Sequence, residues 1–176
     1  MAGKSYKTEL ADNARTLARD ARAAFGEFLS RPQWDWYSTH TFKAEYVSPK
    51  QSDRAWYSWF NSLRMAAKAK GLTPSLYGDA SPFYFRVTEY QDRGTLHFHA
   101  LIGNCGDIRR LLFKDFWELQ GFARVEAYNP QLGAAHYVAK YLNKTDDGDI
   151  RFSHNLTQHL TQLETSLIIG GNNGKA

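Results

Sequence analysis

The sequence has little that would cross-link it or anchor it in a membrane. Cys105 is the one cysteine among 176 residues, so an intramolecular disulfide is excluded and a reducing compartment is favoured. No apolar run approaches the roughly 20 residues of a membrane-spanning helix, and the polar N-terminal residues are unlike a signal peptide. We therefore expect a cytoplasmic protein without a membrane partner.

The glycines near the C-terminus lack the pattern of a phosphate-binding loop. A strand-like run precedes them, but Gly170 and Gly174 are one residue too close together. Ala176 also stands where such a loop requires serine or threonine. We therefore assign no nucleotide-binding role to this segment.

The composition that is present indicates a single globular domain. Hydrophobic residues make up 43% of the chain and aromatic residues 15%, which excludes a disordered protein. The formal net charge is +4 and the isoelectric point is near 9.1. This charge balance favours a polyanionic partner without requiring one.

The order of helix and strand signals predicts an α+β fold, with a central, mainly antiparallel β-sheet and flanking helices that cover one face. In chain order, the predicted elements are helix 4–29, strand 34–43, helix 48–71, a hairpin within 83–102, helix 107–121, strand 122–128, a helix from 129, strand 150–153 and a closing helix. Ser48, Pro49 and Gln51 form a capping-box signal at the start of the second helix. Its predicted buried residues are Trp56, Trp59, Phe60, Leu63 and Ala67. The third helix is expected to be capped by Asp107 and to bury Ile108, Leu111, Leu112, Phe116 and Leu119.

The hairpin carries a carboxylate and two imidazoles. His97 and His99 are two residues apart on a strand and therefore project to the same face. A three-residue loop, 92–94, with Gly94 in the left-handed conformation, would pair Glu89 with His97. A loop longer by one residue would turn Glu89 to the opposite face. Ordinary sheet histidines and a solvated carboxylate explain the same pattern, so both interpretations stay open at this point.

The helix expected to begin at Asn129-Pro130 has two different sides. One side is apolar and suited to packing. The other combines two tyrosines with two lysines at helical spacing, namely Tyr137, Lys140, Tyr141 and Lys144. An amphipathic helix whose polar side happens to hold tyrosines is an equal alternative.

Taken together, the two stretches resemble the HUH-superfamily endonucleases of the rolling-circle replication initiator type, found in phages and plasmids. The histidine motif is His97-Phe98-His99, and the Y-x-x-K motif runs from Tyr137 to Lys140. Glu89, eight residues before His97, is similar to the carboxylate that completes the metal site of small viral initiators. The first motif of the family is matched loosely by residues 38–42, and the resemblance covers residues 36–144.

The resemblance implies a ferredoxin-like or RRM-like fold and a division of the chain into three parts. Residues 1–33 would form an N-terminal helical extension, residues 34–156 the endonuclease domain, and residues 157–176 a C-terminal helix and flexible tail. His40 stands where the family often has an apolar residue, and we assign it no metal role.

The resemblance also implies nicking and ligation of single-stranded or hairpin origin DNA through a 5′-phosphotyrosine. Glu89, His97 and His99 would hold a divalent cation, for which Mn²⁺ or Mg²⁺ is suited by the mixed oxygen and nitrogen ligands. Tyr137 is the expected primary nucleophile, with Tyr141 as a possible second, and Lys140 would stabilise developing negative charge. The residues expected to contact DNA are Thr39, Thr41, Arg93 and Lys144.

The expected partners include a host helicase and a DNA polymerase, because the sequence contains no helicase domain. Three alternatives remain. The first is a transposase or relaxase-like strand transferase of the same superfamily. The second is a mononuclear non-haem iron enzyme, since two histidines and one carboxylate also form a facial triad. The third is a DNA-binding module without catalytic activity.

Overall fold

The computed structural model describes residues 6–71, 81–90, 94–134, 136–137 and 149–161. Three helices and five strands have defined bounds within these ranges: α1 (Tyr6–Ser30), β1 (Trp36–Phe42), α2 (Pro49–Ala69), β2 (Phe83–Tyr90), β3 (Leu96–Gly103), α3 (Arg110–Asp115), β4 (Gly121–Ala127) and β5 (Ile150–Phe152). Residues 134, 136–137 and 154–161 are also helical. None of the helices in these ranges is long and apolar enough to cross a membrane.

The five strands form one sheet in the order β4-β1-β3-β2-β5, and every neighbouring pair is antiparallel. The chain order β1-α2-β2-β3-α3-β4 is the βαββαβ arrangement of ferredoxin-like folds, in which β3 lies between β1 and β2. The predicted α+β fold with a central antiparallel sheet is therefore confirmed. β5 extends this core at the outer edge of β2, at the position of the predicted strand 150–153.

Helix α2 forms where the sequence predicts it and covers one face of the sheet. Its first turn is a capping box: the Gln51 backbone N–H donates to Ser48 Oγ, and the Ser48 backbone N–H donates to Gln51 Oε1. Pro49 occupies the first turn, where its missing N–H has no cost. All of its predicted core residues are buried, namely Trp56, Trp59, Phe60, Leu63 and Ala67.

The second face of the sheet is also covered in part, which differs from the predicted cover on one face. A second buried cluster joins the C-terminal end of α1, strands β2 and β3, and helical residues 154–161; it includes Leu29, Phe85, Leu101, Leu156 and Leu160. Apolar residues of β2 and β3 thus require cover on this face as well. The polar ends of the same two strands lie beyond the cluster.

Helix α3 differs from its prediction in both start and buried face. It begins at Arg110, and Arg109 at the cap position makes no side-chain capping hydrogen bond, so the predicted cap at Asp107 is wrong. Phe113 and Trp117 are fully buried, as is most of Ile108, whereas the other four predicted core residues are exposed: Leu111, Leu112, Phe116 and Leu119. The aromatic side chains win because they bury more apolar area. Trp117 Nε1 also donates to the Thr41 carbonyl at 3.1 Å.

The segment after β4 is a turn, and its helix begins later than predicted. Asn129 Oδ1 accepts a hydrogen bond from the Gln131 backbone N–H at 3.0 Å, which forms an Asx turn. Gly133 then adopts a left-handed φ of 73°, and helical residues start at Ala134. The sequence Asn-Pro is compatible with both arrangements, and the glycine favours the turn.

Candidate functional site

The hairpin of β2 and β3 brings a carboxylate and two histidines onto one face of the sheet. Glu89 pairs with His97 across the two strands. Gly94 has a left-handed φ of 77°, as the predicted three-residue turn requires. Glu89 Oε2 and His99 Nε2 are 3.1 Å apart. The predicted register is therefore confirmed, while residues 91–93 of the turn lie outside the described ranges.

Strand β1 supplies hydroxyl groups that hold the two histidine rings. Thr41 lies opposite His97, and its Oγ1 is 3.1 Å from His97 Nδ1. Thr39 lies opposite His99, and its Oγ1 is 3.2 Å from His99 Nδ1. The hydroxyl of Tyr37 is also 3.1 Å from His99 Nδ1. Hydrogen bonds at Nδ1 fix the ring orientation and leave Nε2 directed away from β1, an arrangement typical of histidines that bind metals.

His97 has an unsatisfied nitrogen. Its Nε2 atom is buried and has no hydrogen-bond partner in the described part of the chain. Burial lowers the pKa of His97, and the charge of Glu89 opposes part of this shift. The ring is therefore neutral at neutral pH, with a lone pair available on one nitrogen. A buried polar atom without a partner costs free energy, so this atom marks a place where a further ligand would be stabilising.

The three side chains do not form a finished metal site as they stand. Within the described ranges, no group of three His, Cys, Asp or Glu side chains has the geometry to hold a metal ion. Glu89 and His99 instead contact each other through the hydrogen bond at 3.1 Å. The chemistry of the donor set, one carboxylate and two imidazoles on one face, nevertheless fits a divalent cation.

Tyr137 lies on the same side of the sheet and is linked to the histidines through Tyr37. The rings of Tyr137 and Tyr37 are 4.7 Å apart between centroids. Tyr37 in turn stacks on His99, with centroids 6.4 Å apart and an interplanar angle of 12°. The Tyr137 hydroxyl accepts a hydrogen bond from the Asn129 backbone N–H at 3.1 Å. Its ring is thus near the site, while its oxygen is held by the turn that precedes the helix.

Several predicted site residues lie outside the described residues, and their roles stay predictions: Arg93, Lys140, Tyr141 and Lys144. Thr39 and Thr41 are part of the site, where both hydroxyls contact histidine rings. Their predicted contact with DNA is a separate role that stays a prediction.

Three residues of this face were missed by sequence reasoning. Tyr37 shares the face because it precedes Thr39 by two residues on β1. Phe122 and Arg124 share it because β4 pairs with β1, which places them opposite Thr41 and Thr39. Phe122 and Arg124 are exposed, and Arg124 forms a surface ion pair with Glu126. Strand alternation predicts that such residues share a face, but only the pairing of β1 with β3 and β4 places that face at the histidines.

His40 belongs to the opposite face of β1 and to the core. Its ring lies among three tryptophans, Trp56, Trp59 and Trp117, with centroid distances of 5.3, 4.4 and 4.6 Å. Its Nε2 is 3.1 Å from Ser38 Oγ. Complete burial, with smaller contributions from His99 and Arg86, lowers the pKa of His40 to about 3. A neutral histidine therefore occupies a position suited to an apolar side chain.

Comparison with known proteins gives one match. The model of the replication-associated protein family of the ORF2 type matches residues 35–146, which include β1, the histidine hairpin and Tyr137. No curated protein and no solved structure gave a significant match.

Proposed function

The chain belongs to the replication-associated protein family of the ORF2 type, and from this premise we propose that it nicks and rejoins single-stranded DNA to initiate rolling-circle replication. Family membership supports a role as replication initiator. It favours this role over the transposase-like and iron-enzyme alternatives. The observation that carries the chemical part of the proposal is the convergence of Glu89, His97 and His99 on one face, beside a tyrosine of the Y-x-x-K motif.

Glu89, His97 and His99 would hold a divalent cation, with Mn²⁺ or Mg²⁺ suited to mixed oxygen and nitrogen donors. The unsatisfied Nε2 of His97 supports this assignment. Thr41 and Thr39 orient the rings from the other side. When bound, such an ion supplies Lewis-acid polarisation of a phosphate oxygen.

Tyr137 would act as the nucleophile. Its hydroxyl would leave the Asn129 backbone N–H, lose its proton to a base, and form a bond to the phosphorus of the scissile phosphodiester. The bond from phosphorus to the 3′ oxygen would break, and that oxygen would take up a proton to leave a 3′-hydroxyl. One phosphodiester is exchanged for another, so the reverse reaction can rejoin a strand without ATP. Tyr141 would serve as a second nucleophile, and Lys140 would stabilise the developing charge.

The surface beside the histidines supports single-stranded DNA as substrate. Phe122 and Arg124 are exposed on β4 and lie on the same face as Thr41 and Thr39. An aromatic ring stacks on bases, and a guanidinium pairs with phosphates, which are the two contacts that single-stranded DNA offers. In this proposal a host helicase supplies unwinding and a DNA polymerase extends the released 3′ end.

The test is covalent trapping. The protein is incubated with Mn²⁺ and a pool of labelled single-stranded oligonucleotides, and a denaturing gel is examined for a protein-DNA adduct. We expect an adduct that EDTA prevents and that a Tyr137→Phe, Tyr141→Phe double variant does not form. The single variants identify the attacking residue. An adduct that persists in the double variant would overturn the assignment of the nucleophile.

A further inference from the structure

A surface cleft of about 470 Å³ opens at the end of β1, away from the histidine face. Its walls are the segment that follows β1, the first turns of α2 and the turn that precedes β4. The Lys43 backbone N–H donates to the Gln120 carbonyl at 2.9 Å and so ties two of these walls together. The cleft is therefore part of the folded framework.

The cleft is positively charged. Lys43 and Arg54 both line it and are exposed. No carboxylate is among the described residues that line it, and neither cation forms an ion pair within the described ranges. Two such cations in a concave site without acidic groups favour an anionic ligand.

The cleft also carries two large side chains that have little burial of their own. Tyr46 is 81% exposed and Leu119 is 83% exposed, and both belong to the lining. They come from different walls, one after β1 and the other before β4. A flat, partly apolar ligand between them would remove much of this surface from water. A nucleobase has this shape, and aromatic side chains are its usual stacking partners in single-stranded complexes.

The cleft begins close to the candidate catalytic residues. Lys43 follows Thr41 by two residues, and Thr41 Oγ1 contacts His97 at 3.1 Å. Two residues of strand span about 7 Å. A nucleic-acid strand that advances at least about 3.4 Å per nucleotide covers this distance within about two nucleotides. A strand lying at the histidines can thus continue into the cleft.

We propose that this cleft binds one nucleotide of the single-stranded DNA that flanks the cleaved phosphodiester. The base lies against Tyr46, and the phosphate lies near Lys43 and Arg54. The inference rests on the proposed function, because the strand in the cleft is the proposed substrate of the histidine and tyrosine site.

The first test measures binding without cleavage. A fluorescein-labelled oligothymidylate of about 16 nucleotides is titrated in EDTA, and the dissociation constant is read from fluorescence anisotropy. Tyr46→Ala should weaken binding about fivefold or more, the effect of losing one stacked base. Tyr46→Phe keeps the ring and should bind like the wild-type protein. Since Tyr46 is largely exposed, thermal melting should be unchanged in both variants.

The second test measures charge. A Lys43→Ala, Arg54→Ala double variant should reduce the dependence of binding on salt, by about 0.7 in the log-log slope for each phosphate that is no longer neutralised. Arg64→Ala is the matched control, because Arg64 is an exposed cation on the same helix outside the cleft. It should leave the slope unchanged. Photo-cross-linking with 5-iodouracil placed along the oligonucleotide should label the peptide that contains Tyr46.

The outcomes separate this inference from the proposed function. If the wild-type protein forms the Mn²⁺-dependent adduct but the cleft variants bind the oligonucleotide like the wild type, the cleft inference is wrong and the function stands. If the variants lose affinity but no adduct forms, the cleft is a DNA site and the proposed chemistry fails. If the wild-type protein does not bind the oligonucleotide at all, both are wrong.

Discussion

Replacement of Thr41 by valine tests how the histidine rings are held. Valine keeps the volume and the β-branched shape of threonine but removes the hydroxyl that lies 3.1 Å from His97 Nδ1. In the described part of the chain, His97 has this one side-chain hydrogen-bond partner. His99 differs, because both Thr39 and Tyr37 contact its Nδ1 atom.

The expected magnitude follows from this difference. Thr41→Val leaves a second polar atom of a buried ring without a partner, which should lower the free energy of unfolding by about 1–3 kcal/mol. Loss of the group that orients a metal ligand typically weakens metal binding by about 10- to 100-fold. Thr39→Val should have a smaller effect on both quantities, because Tyr37 still contacts His99 Nδ1.

Isothermal titration of each variant with Mn²⁺ measures the dissociation constant, and urea unfolding of the metal-free protein measures stability. The two threonine variants are matched controls for each other, since both lie on β1 and face the same way. Equal losses of Mn²⁺ affinity in the two variants would refute the reasoning. Unchanged affinity in Thr41→Val would remove His97 from the proposed ligand set.

Three further predictions concern the catalytic site and the core. His97→Ala should abolish the covalent adduct while oligonucleotide affinity in EDTA stays within about twofold, because phosphate contacts are spread over many cations; an equal loss of both would indicate misfolding. The folded His40 has a pKa of about 3 and the unfolded one about 6.5, so unfolding takes up a proton between these values. The free energy of unfolding should therefore be complete above pH 6.5 and fall by up to about 1.4 kcal/mol per pH unit below it, and urea unfolding of His40→Phe should show a shallower fall. Asp53→Ala should destabilise the protein by about 3 kcal/mol, because it leaves Arg86, almost fully buried and 2.7 Å from Asp53, without its counter-charge; a melting temperature equal to that of the wild type would contradict this.

The parts of the fold that the sequence predicts well are those set by neighbours in the chain. The register of Glu89 against His97 depends on a short turn, and Gly94 is the residue that this turn needs. The start of α2 depends on Ser48 and Gln51, which are three residues apart. In both cases the determining contacts lie within one element or one turn.

The parts that the sequence predicts poorly depend on contacts between distant segments. Leu111 and Leu112 fit a helical stripe as well as Phe113 and Trp117 do, and the choice between them is made by packing against α2 and β1. Tyr37 could not be assigned to the site before β1 was known to pair with β3, since more than 60 residues separate it from His99. Tertiary contacts of this kind override local patterns.

Sequence alone also cannot explain why one pair of histidines suits chemistry and a third does not. His40 and His97 are both buried with lowered pKa values, and each has a ring nitrogen without a described partner. An unsatisfied nitrogen is therefore not enough to mark a ligand. His40 has no exposed surface and is enclosed by tryptophan rings, so no ion can reach it. His97 retains 7% exposure and experiences the charge of Glu89, which would compensate a cation. The alternation of β1 decides between these outcomes, because it sends Thr39 and Thr41 to the polar face and His40 to the core.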